Sequence, residues 1–236
     1  MFRILTWNIH GACDAQGNDT TQQITDTIGG SSVDVVALQE VPHQQWASDL
    51  ARALHMFMFF QETNTTTGLG NLILSPIDAS FVFRHQLTKG GGGCWGCRGD
   101  PRAAIAAVFP DFTVVNTHLG ADPTMYDQYM GAVELNKFAR LLPGKVVVVG
   151  DFNAHYISPA MWHMRKKGWK DMWRTTQNRV HGYRAGCTFS ARFPFQRIDY
   201  VLCNAAASAC VVATQAKVLN TLDSDHRGVL VELCEI

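Results

Sequence analysis

Residues 146–149 are four consecutive valines, followed at once by Gly150, Asp151, Phe152 and Asn153. A β-branched run with no polar alternation reads as a strand buried on both faces. It stops abruptly at a carboxylate and an amide set on either side of a phenylalanine. Asp151 and Asn153 lie two apart, so both leave the strand on one face while Phe152 points to the other, into packing.

The same pattern recurs along the chain. "FRILTWN", "VDVVALQE", "FMFF", "NLILS", "SFVFRH", "AAIAAVF" and "FTVVNTH" read as strands, followed after the valines by "RIDYVLC", "CVVATQA" and "GVLVELC". Helices are expected around Ile24 and Ile28, over "PHQQWASDLARALH" with Pro42 near its start, and from about residue 124 to 142. The last of these carries Tyr126, Met130, Val133 and Phe138 on one stripe and ends at Pro143-Gly144. Ser158-Pro159 supplies an N-cap and first residue for a short helix through Lys167. Strands outnumber helices, both recur throughout, and no boundary is visible. The expectation is two packed sheets with helices outside, as a single domain over residues 1–236.

Composition narrows the function. Twenty basic and twenty acidic side chains cancel, so a sequence-independent grip on a polyanion is not advertised, although a local basic patch is compatible. The opening "MFRILTWNIHG" alternates like a strand and does not resemble a secretory signal, and no apolar run approaches membrane-spanning length. Seven cysteines, an odd number, point to a mostly reduced, intracellular protein. "KGGGGCWGCRGDPR" reads as a loop; its Cys94 and Cys97 have no second CxxC to complete a zinc ribbon.

Polar residues collect at the ends of these strands: Asn8, Glu40, Asn116 and His118, Asp151 and Asn153, Asp199 inside its strand, and Asp225 with His226 just before the last one. Each alone has a dull reading; Asp199, for example, could simply pair with Arg197 on the same face. Together they can converge on one rim of the fold, where active sites are commonly built. Carboxylate oxygens without an accompanying thiolate suit a hard cation such as Mg²⁺ or Mn²⁺. Two histidines beside them add a proton carrier and an oxyanion stabiliser. That set suggests metal-assisted hydrolysis of a phosphate ester. There is no GxSxG elbow and no Walker-type loop.

"TWNIHG", "VVALQEV", "NTHLG", "VVVVGDFNA", "RIDYVL" and "SDHRGVLVEL" resemble the ordered motif blocks of the endonuclease/exonuclease/phosphatase superfamily, from Thr6 to Leu233. The resemblance implies a DNase I-like four-layer α/β/β/α sandwich of two mainly antiparallel sheets with outer helices, and a divalent-metal hydrolase. It further implies that Glu40 binds the metal with Asn8 beside it, and that Asp225 contributes a second metal position. His226 would contact the scissile phosphate, oriented by Asp199, while Asp151 and Asn153 position or deprotonate the attacking water. His118 matches the second catalytic histidine of DNase-like and sphingomyelinase-like members, and Arg102 an arginine they place near phosphate. Asn8 and Asn153 would also contact phosphate.

Departures from the family pattern narrow the substrate. "GDFNAH" disfavours inositol phosphatases, and "LQEVP" weakens a specialised role in abasic-site repair. "GCWGCRGD" resembles a cysteine-bounded loop of secreted DNase I. The first reading is therefore a monomeric Mg²⁺-dependent phosphodiesterase acting on nucleic acid in an endonuclease-like manner. The second is a sphingomyelinase-type phospholipid phosphodiesterase docking through exposed aromatics such as Trp95. Phosphomonoester hydrolysis and a non-catalytic binding module rank behind both. The basic, aromatic stretch over 161–174 reads first as a helix with Met161, Met164 and Trp169 inward and Arg165, Lys166 and Lys167 solvated, and second as a nucleic-acid platform. Loops over 11–22, 90–101 and 177–194 are expected to set substrate choice.

Overall fold

A computed structural model describes residues 1–63, 68–87, 101–176, 179–180 and 186–236. In chain order its strands are β1 (Phe2–Asn8), β2 (Val35–Val41), β3 (Phe57–Glu62), β4 (Gly70–Ser75), β5 (Phe81–Leu87), β6 (Arg102–Val108) and β7 (Thr113–His118), then β8 (Val146–Asp151), β9 (Lys170–Asp171), β10 (Arg179–Val180), β11 (Asp199–Cys203), β12 (Val211–Val218) and β13 (Val229–Glu235). The helices are α1 (Thr21–Gly29), α2 (Gln44–Ala53), α3 (Tyr126–Ala139), α4 (Pro159–Lys166), α5 (Met172–Thr175) and α6 (Ala205–Cys210). One sheet has the order β10-β12-β13-β1-β2-β4-β3 and the other β5-β6-β7-β8-β11-β9. Neighbours are antiparallel except β10/β12, β1/β2 and β7/β8.

Strand periodicity explains the layering. In β8, Val147 and Val149 face the core between the sheets, with Ile4, Ala37 and Ile73 from the first sheet and Ile105 and Val114 from the second. Val146 and Val148 face the other way, against Ala132 and Leu135 of α3 and Met161 and Met164 of α4. In β1, Leu5 and Trp7 pack outward with Ile24 and Ile28 of α1 and Leu50 of α2. The layers therefore run α/β/β/α, as expected. Burial of each β8 valine stabilises the fold by about 1.5–3 kcal/mol relative to exposure, as an upper estimate.

Several elements differ from expectation. α2 starts behind His43, whose Nδ1 accepts the Trp46 N–H at 3.1 Å, leaving Pro42 outside the helix. α3 is shorter than 124–142, and Tyr126 is half exposed. Its buried stripe is Gln128, Gly131, Ala132, Leu135, Asn136 and Ala139. Small residues let the helix lie close: a Cβ on Gly131 would stand 3.1 Å from Leu119. Ser158 caps α4 through the Met161 N–H, and Met161, Met164 and Trp169 point inward as read from the sequence. Among the described residues no helix is long and apolar enough to cross a membrane. Cys94, Trp95 and Cys97 lie outside the described residues.

Candidate active site

The strand topology puts the polar strand ends on one rim. β7, β8 and β11 are neighbours, with His118 paired to Asp151 and Asp151 to Asp199 in register. These three side chains therefore stand abreast. Facing them, β1 and β2 run parallel with Asn8 opposite Gln39. A register shift in β2 between Leu38 and Val41 carries Glu40 out of the ladder with φ 54°. Such bulges re-aim side chains.

Asp151 continues the inward face of Val147 and Val149, while Phe152 joins the outer layer with its ring 5.4 Å from that of Tyr200. Asn153 takes φ 48°, a left-handed conformation that asparagine tolerates. Its N–H donates to Asp151 Oδ1 at 2.8 Å, and its Nδ2 donates to Leu119 O at 3.1 Å and lies 3.0 Å from His118 Nε2. The sharp turn needs Gly150, whose missing Cβ would fall 1.9 Å from Thr117 O.

Asp151 is the hub. Its Oδ2 accepts from Asn8 Nδ2 at 3.1 Å and lies 3.5 Å from Nε2 of both His118 and His226. The other ring nitrogen of His226, Nδ1, donates to Asp199 Oδ2 at 3.1 Å. Among the described residues, Asp151, Asp199 and His226 form one buried group whose ligating atoms lie within 4.8 Å of one another. Arg197, the possible partner of Asp199, instead binds Asp171 at 2.5 Å.

Electrostatics give the two histidines opposite states. Burial works against a charge on His226, but Asp199, Asp151 and Asp225 outweigh it and push its pKa up to about 10. His118 is held well below the ordinary value by burial first and then by Arg102 and His226. Arg102 Nη1 stands 2.9 Å from His118 Nδ1. A guanidinium only donates, so Nδ1 accepts from Arg102, while Nε2 lies between Asn153 Nδ2 at 3.0 Å and Asp151 Oδ2 at 3.5 Å. Asp151 itself is raised to about 7, burial being the main cause.

Glu40 Oε1 accepts from Asn8 Nδ2 at 3.2 Å and lies 3.8 Å from His118 Nδ1. The Glu40 side chain is 24% exposed, whereas the Asp151 side chain is 1% exposed. Glu40 thus presents a carboxylate from the rim to solvent above a buried floor. Carboxylate oxygens of this kind fit a hard divalent cation. Asn8 lies beside Glu40: its Oδ1 accepts the His10 N–H at 3.0 Å, and its amide nitrogen bridges Glu40 and Asp151. Asp225 is half-buried and receives Ser224 Oγ at 3.4 Å, outside the buried group. Asn116 lies a layer deeper. Its Nδ2 donates to Leu38 O and Leu72 O, and its Oδ1 accepts from Gln39 Nε2 at 2.7 Å, pinning the two sheets together below the site.

Other supports escaped the sequence reading. Trp7 Nε1 donates to His226 O at 3.0 Å. Ser224 Oγ donates to Asn8 O at 2.8 Å and accepts the His226 N–H at 3.1 Å, tying β1 to the histidine. The Phe189 ring lies 4.9 Å from that of His226. Tyr200 OH lies 2.8 Å from Ala154 O and 3.0 Å from Arg197 O, within hydrogen-bond distance of both. Trp7, Ser224 and Tyr200 each adjoin a rim residue inside a motif block, and that adjacency was the available signal.

The profile described as "Endonuclease/Exonuclease/phosphatase family" matches residues 5–226. The chain belongs to this family. Its members are hydrolases acting on phosphoesters, generally with a divalent metal. No curated protein sequence matches the chain. Among solved structures, an endonuclease/exonuclease/phosphatase protein from Bacteroides vulgatus superposes with TM-score 0.81 at 22% identity, covering 100% of this chain and 99% of that one. A mannosyl-6-phosphatase from Bacteroides thetaiotaomicron gives TM-score 0.81 at 18% identity, covering 99% and 100%. The 3′ phosphatase NExo from Neisseria, bound to a product DNA hairpin, gives 0.70 at 21%, covering 99% and 100%. These likenesses establish the DNase I-like fold.

Proposed function

We propose that the protein is a Mg²⁺- or Mn²⁺-dependent phosphodiesterase whose substrate is nucleic acid, cleaved in an endonuclease-like manner. The observation that carries the reading is the buried Asp199–His226–Asp151 chain opening beneath the partly exposed Glu40 carboxylate. Glu40 would hold the cation, with Asn8 fixing Glu40 against Asp151 and Asp225 available for a second position. A cation bound there would neutralise phosphate oxygens and favour displacement of the leaving oxygen.

The remaining chemistry belongs to side chains. Asp199 keeps the proton of His226 on Nδ1 and favours the imidazolium, so Nε2–H can donate to a non-bridging phosphate oxygen as charge develops. Asp151, raised to about 7, exchanges a proton near neutral pH, which suits a general base for water. Asn153 and His118 orient that water and a phosphate oxygen, and Arg102, 2.9 Å from His118 Nδ1, holds the ring in place.

A second reading, phosphomonoester hydrolysis, draws on the similarity to a mannosyl-6-phosphatase and a DNA 3′ phosphatase. Three substrates separate the readings: supercoiled plasmid, a 3′-phosphorylated oligonucleotide and sphingomyelin vesicles, each with MgCl₂ and with EDTA. Metal-dependent nicking of plasmid supports the proposal. Phosphate release from the oligonucleotide without nicking moves the protein to the monoester reading, and phosphocholine release moves it to lipid.

A further inference from the structure

Residues 161–174 hold five basic side chains and one acid, in a chain with equal numbers of basic and acidic residues overall. The structure disposes of the tryptophans first. Trp169 and Trp173 are buried, leaving Trp162 half exposed beneath Lys166. The arginines are arranged differently. The guanidinium carbons of Arg165 and Arg174 lie 4.0 and 4.1 Å from the ring centroid of Tyr156, and that of Arg197 lies 5.9 Å away. Arg197 stacks more closely on Tyr200, at 4.4 Å, and among the described residues it alone of the three has a carboxylate, its partner Asp171. Asp171 is the one acid of the stretch, and it also caps α5 through the Trp173 N–H. Among the described residues, Arg165 and Arg174 have no carboxylate partner. Arg165 donates to Tyr156 O, which fixes its fork against the loop.

The position of this cluster matters. Tyr156 follows Asn153 by three residues on the loop leaving β8, and Tyr200 OH lies within hydrogen-bond distance of that loop at Ala154 O. Arg197 precedes Asp199 by two residues. β9 pairs antiparallel with β11, Leu202 opposite Asp171, so the chain running on into α5 and Arg174 heads toward the Asp199 end. The arginines therefore gather at the end of the second sheet where β8 and β11 carry Asp151 and Asp199, on its helix-covered side and outside the buried group. Uncompensated guanidiniums in a fixed array around an aromatic face bind phosphate well.

We propose that Arg165 and Arg174, seated on Tyr156, form a second phosphate subsite that takes a backbone phosphate flanking the scissile one on a nucleic-acid strand. The inference rests on the nucleic-acid reading above and adds to it how a neutral protein holds a polyanion. Tyr156 acts as the platform that spaces the two guanidiniums, and Lys166 and Lys167 extend the charge along the end of α4.

The test is equilibrium binding, which needs no turnover. Fluorescence anisotropy of a labelled single-stranded 12-mer is measured in EDTA from 25 to 300 mM KCl, for wild type, Arg165→Gln/Arg174→Gln and Arg165→Lys/Arg174→Lys, with thermal midpoints confirming the fold. Glutamine keeps much of the stem packing on Tyr156 and removes the charge. Each lost single-strand phosphate contact lowers the slope of log K against log salt by about 0.7. The glutamine pair removes one such contact and is expected to lower the slope by about 0.7 and to weaken binding about fivefold at 100 mM salt. The lysine pair should recover most of the slope. An unchanged slope in the glutamine pair, or no binding by wild type, overturns the subsite. So does loss of binding to phosphatidylserine vesicles with oligonucleotide binding intact, which would make the cluster a membrane contact. Wild-type binding that falls in the glutamine pair, in a protein that does not nick plasmid, leaves the subsite standing while the endonuclease reading fails.

Discussion

Gly150 separates the valine strand from Asp151, and replacing it with alanine tests whether β7 and β8 hold the site as described. Its φ is +138°, a conformation that side-chain-bearing residues rarely adopt. A Cβ there would lie 1.9 Å from Thr117 O, 2.9 Å from Thr117 C and 3.1 Å from Thr117 N, all backbone atoms of the paired strand. None of these can swing aside as a flexible side chain could. Backbone strain of about 1–3 kcal/mol adds to a steric penalty of about 1–3 kcal/mol. Gly150→Ala should therefore lose about 4 kcal/mol, a large part of the roughly 5–15 kcal/mol that holds a typical domain together. Gly144→Ala is the control. Gly144 also has positive φ, +72°, but nothing lies within 4 Å of its virtual Cβ, so strain of about 1–2 kcal/mol is all it should cost. Urea unfolding with matched m-values gives both numbers. Because the clash sits one residue before the His118–Asp151 pair, phosphoester turnover should fall with stability in Gly150→Ala and not in Gly144→Ala. A Gly150→Ala protein within 1 kcal/mol of wild type, or no worse than Gly144→Ala, refutes the close approach of the strands.

Asp199→Asn should lower kcat by on the order of 10²–10⁴-fold and move the His226 pKa down, which NMR titration of the imidazole reads directly. Because the folded-state pKa of His226 is raised to about 10, its charge stabilises the fold fully below about pH 6.5, and that contribution is lost as pH rises through about 10. Urea midpoints from pH 6.5 to 10.5 should therefore fall more steeply for wild type than for Asp199→Asn; parallel curves would count against the ion pair. Glu40→Gln should raise the Mg²⁺ concentration needed for half-maximal activity at least tenfold, whereas an unchanged metal titration would remove Glu40 from the metal site. Tyr200→Phe takes the hydroxyl from Ala154 O and Arg197 O and should cost about 1–2 kcal/mol in urea unfolding; no change would mean that water replaces the contacts.

Much of the site was legible because the strands that carry it obey simple periodicity. The alternation of β1 and β8 places Trp7 and Phe152 outward and Asn8 and Asp151 inward, so the rim follows from where the apolar runs stop. α3 was misread for a physical reason: its packing face is built of Gly131, Ala132 and Ala139, and large side chains such as Tyr126 point to solvent. A stripe of small residues marks a close helix but carries little hydrophobic signal. Partner choice was also hidden. Arg197 lies two residues before Asp199, just ahead of β11, yet it reaches Asp171 and leaves Asp199 to His226, a pairing set by the position of the two-residue strand β9. Nor could the sequence foretell that Asn8 would turn its amide nitrogen toward two carboxylates, because that depends on the turn that brings the His10 N–H onto its oxygen.

The most direct test of the centre is hydrolysis of bis(p-nitrophenyl) phosphate by wild type and His226→Ala over a Mg²⁺ titration, with circular dichroism confirming the fold. Wild type should turn over only with metal, and His226→Ala should fall by on the order of 10³-fold at saturating metal while remaining folded. A folded His226→Ala protein that keeps turnover within tenfold of wild type would contradict the assignment of this rim as the catalytic centre.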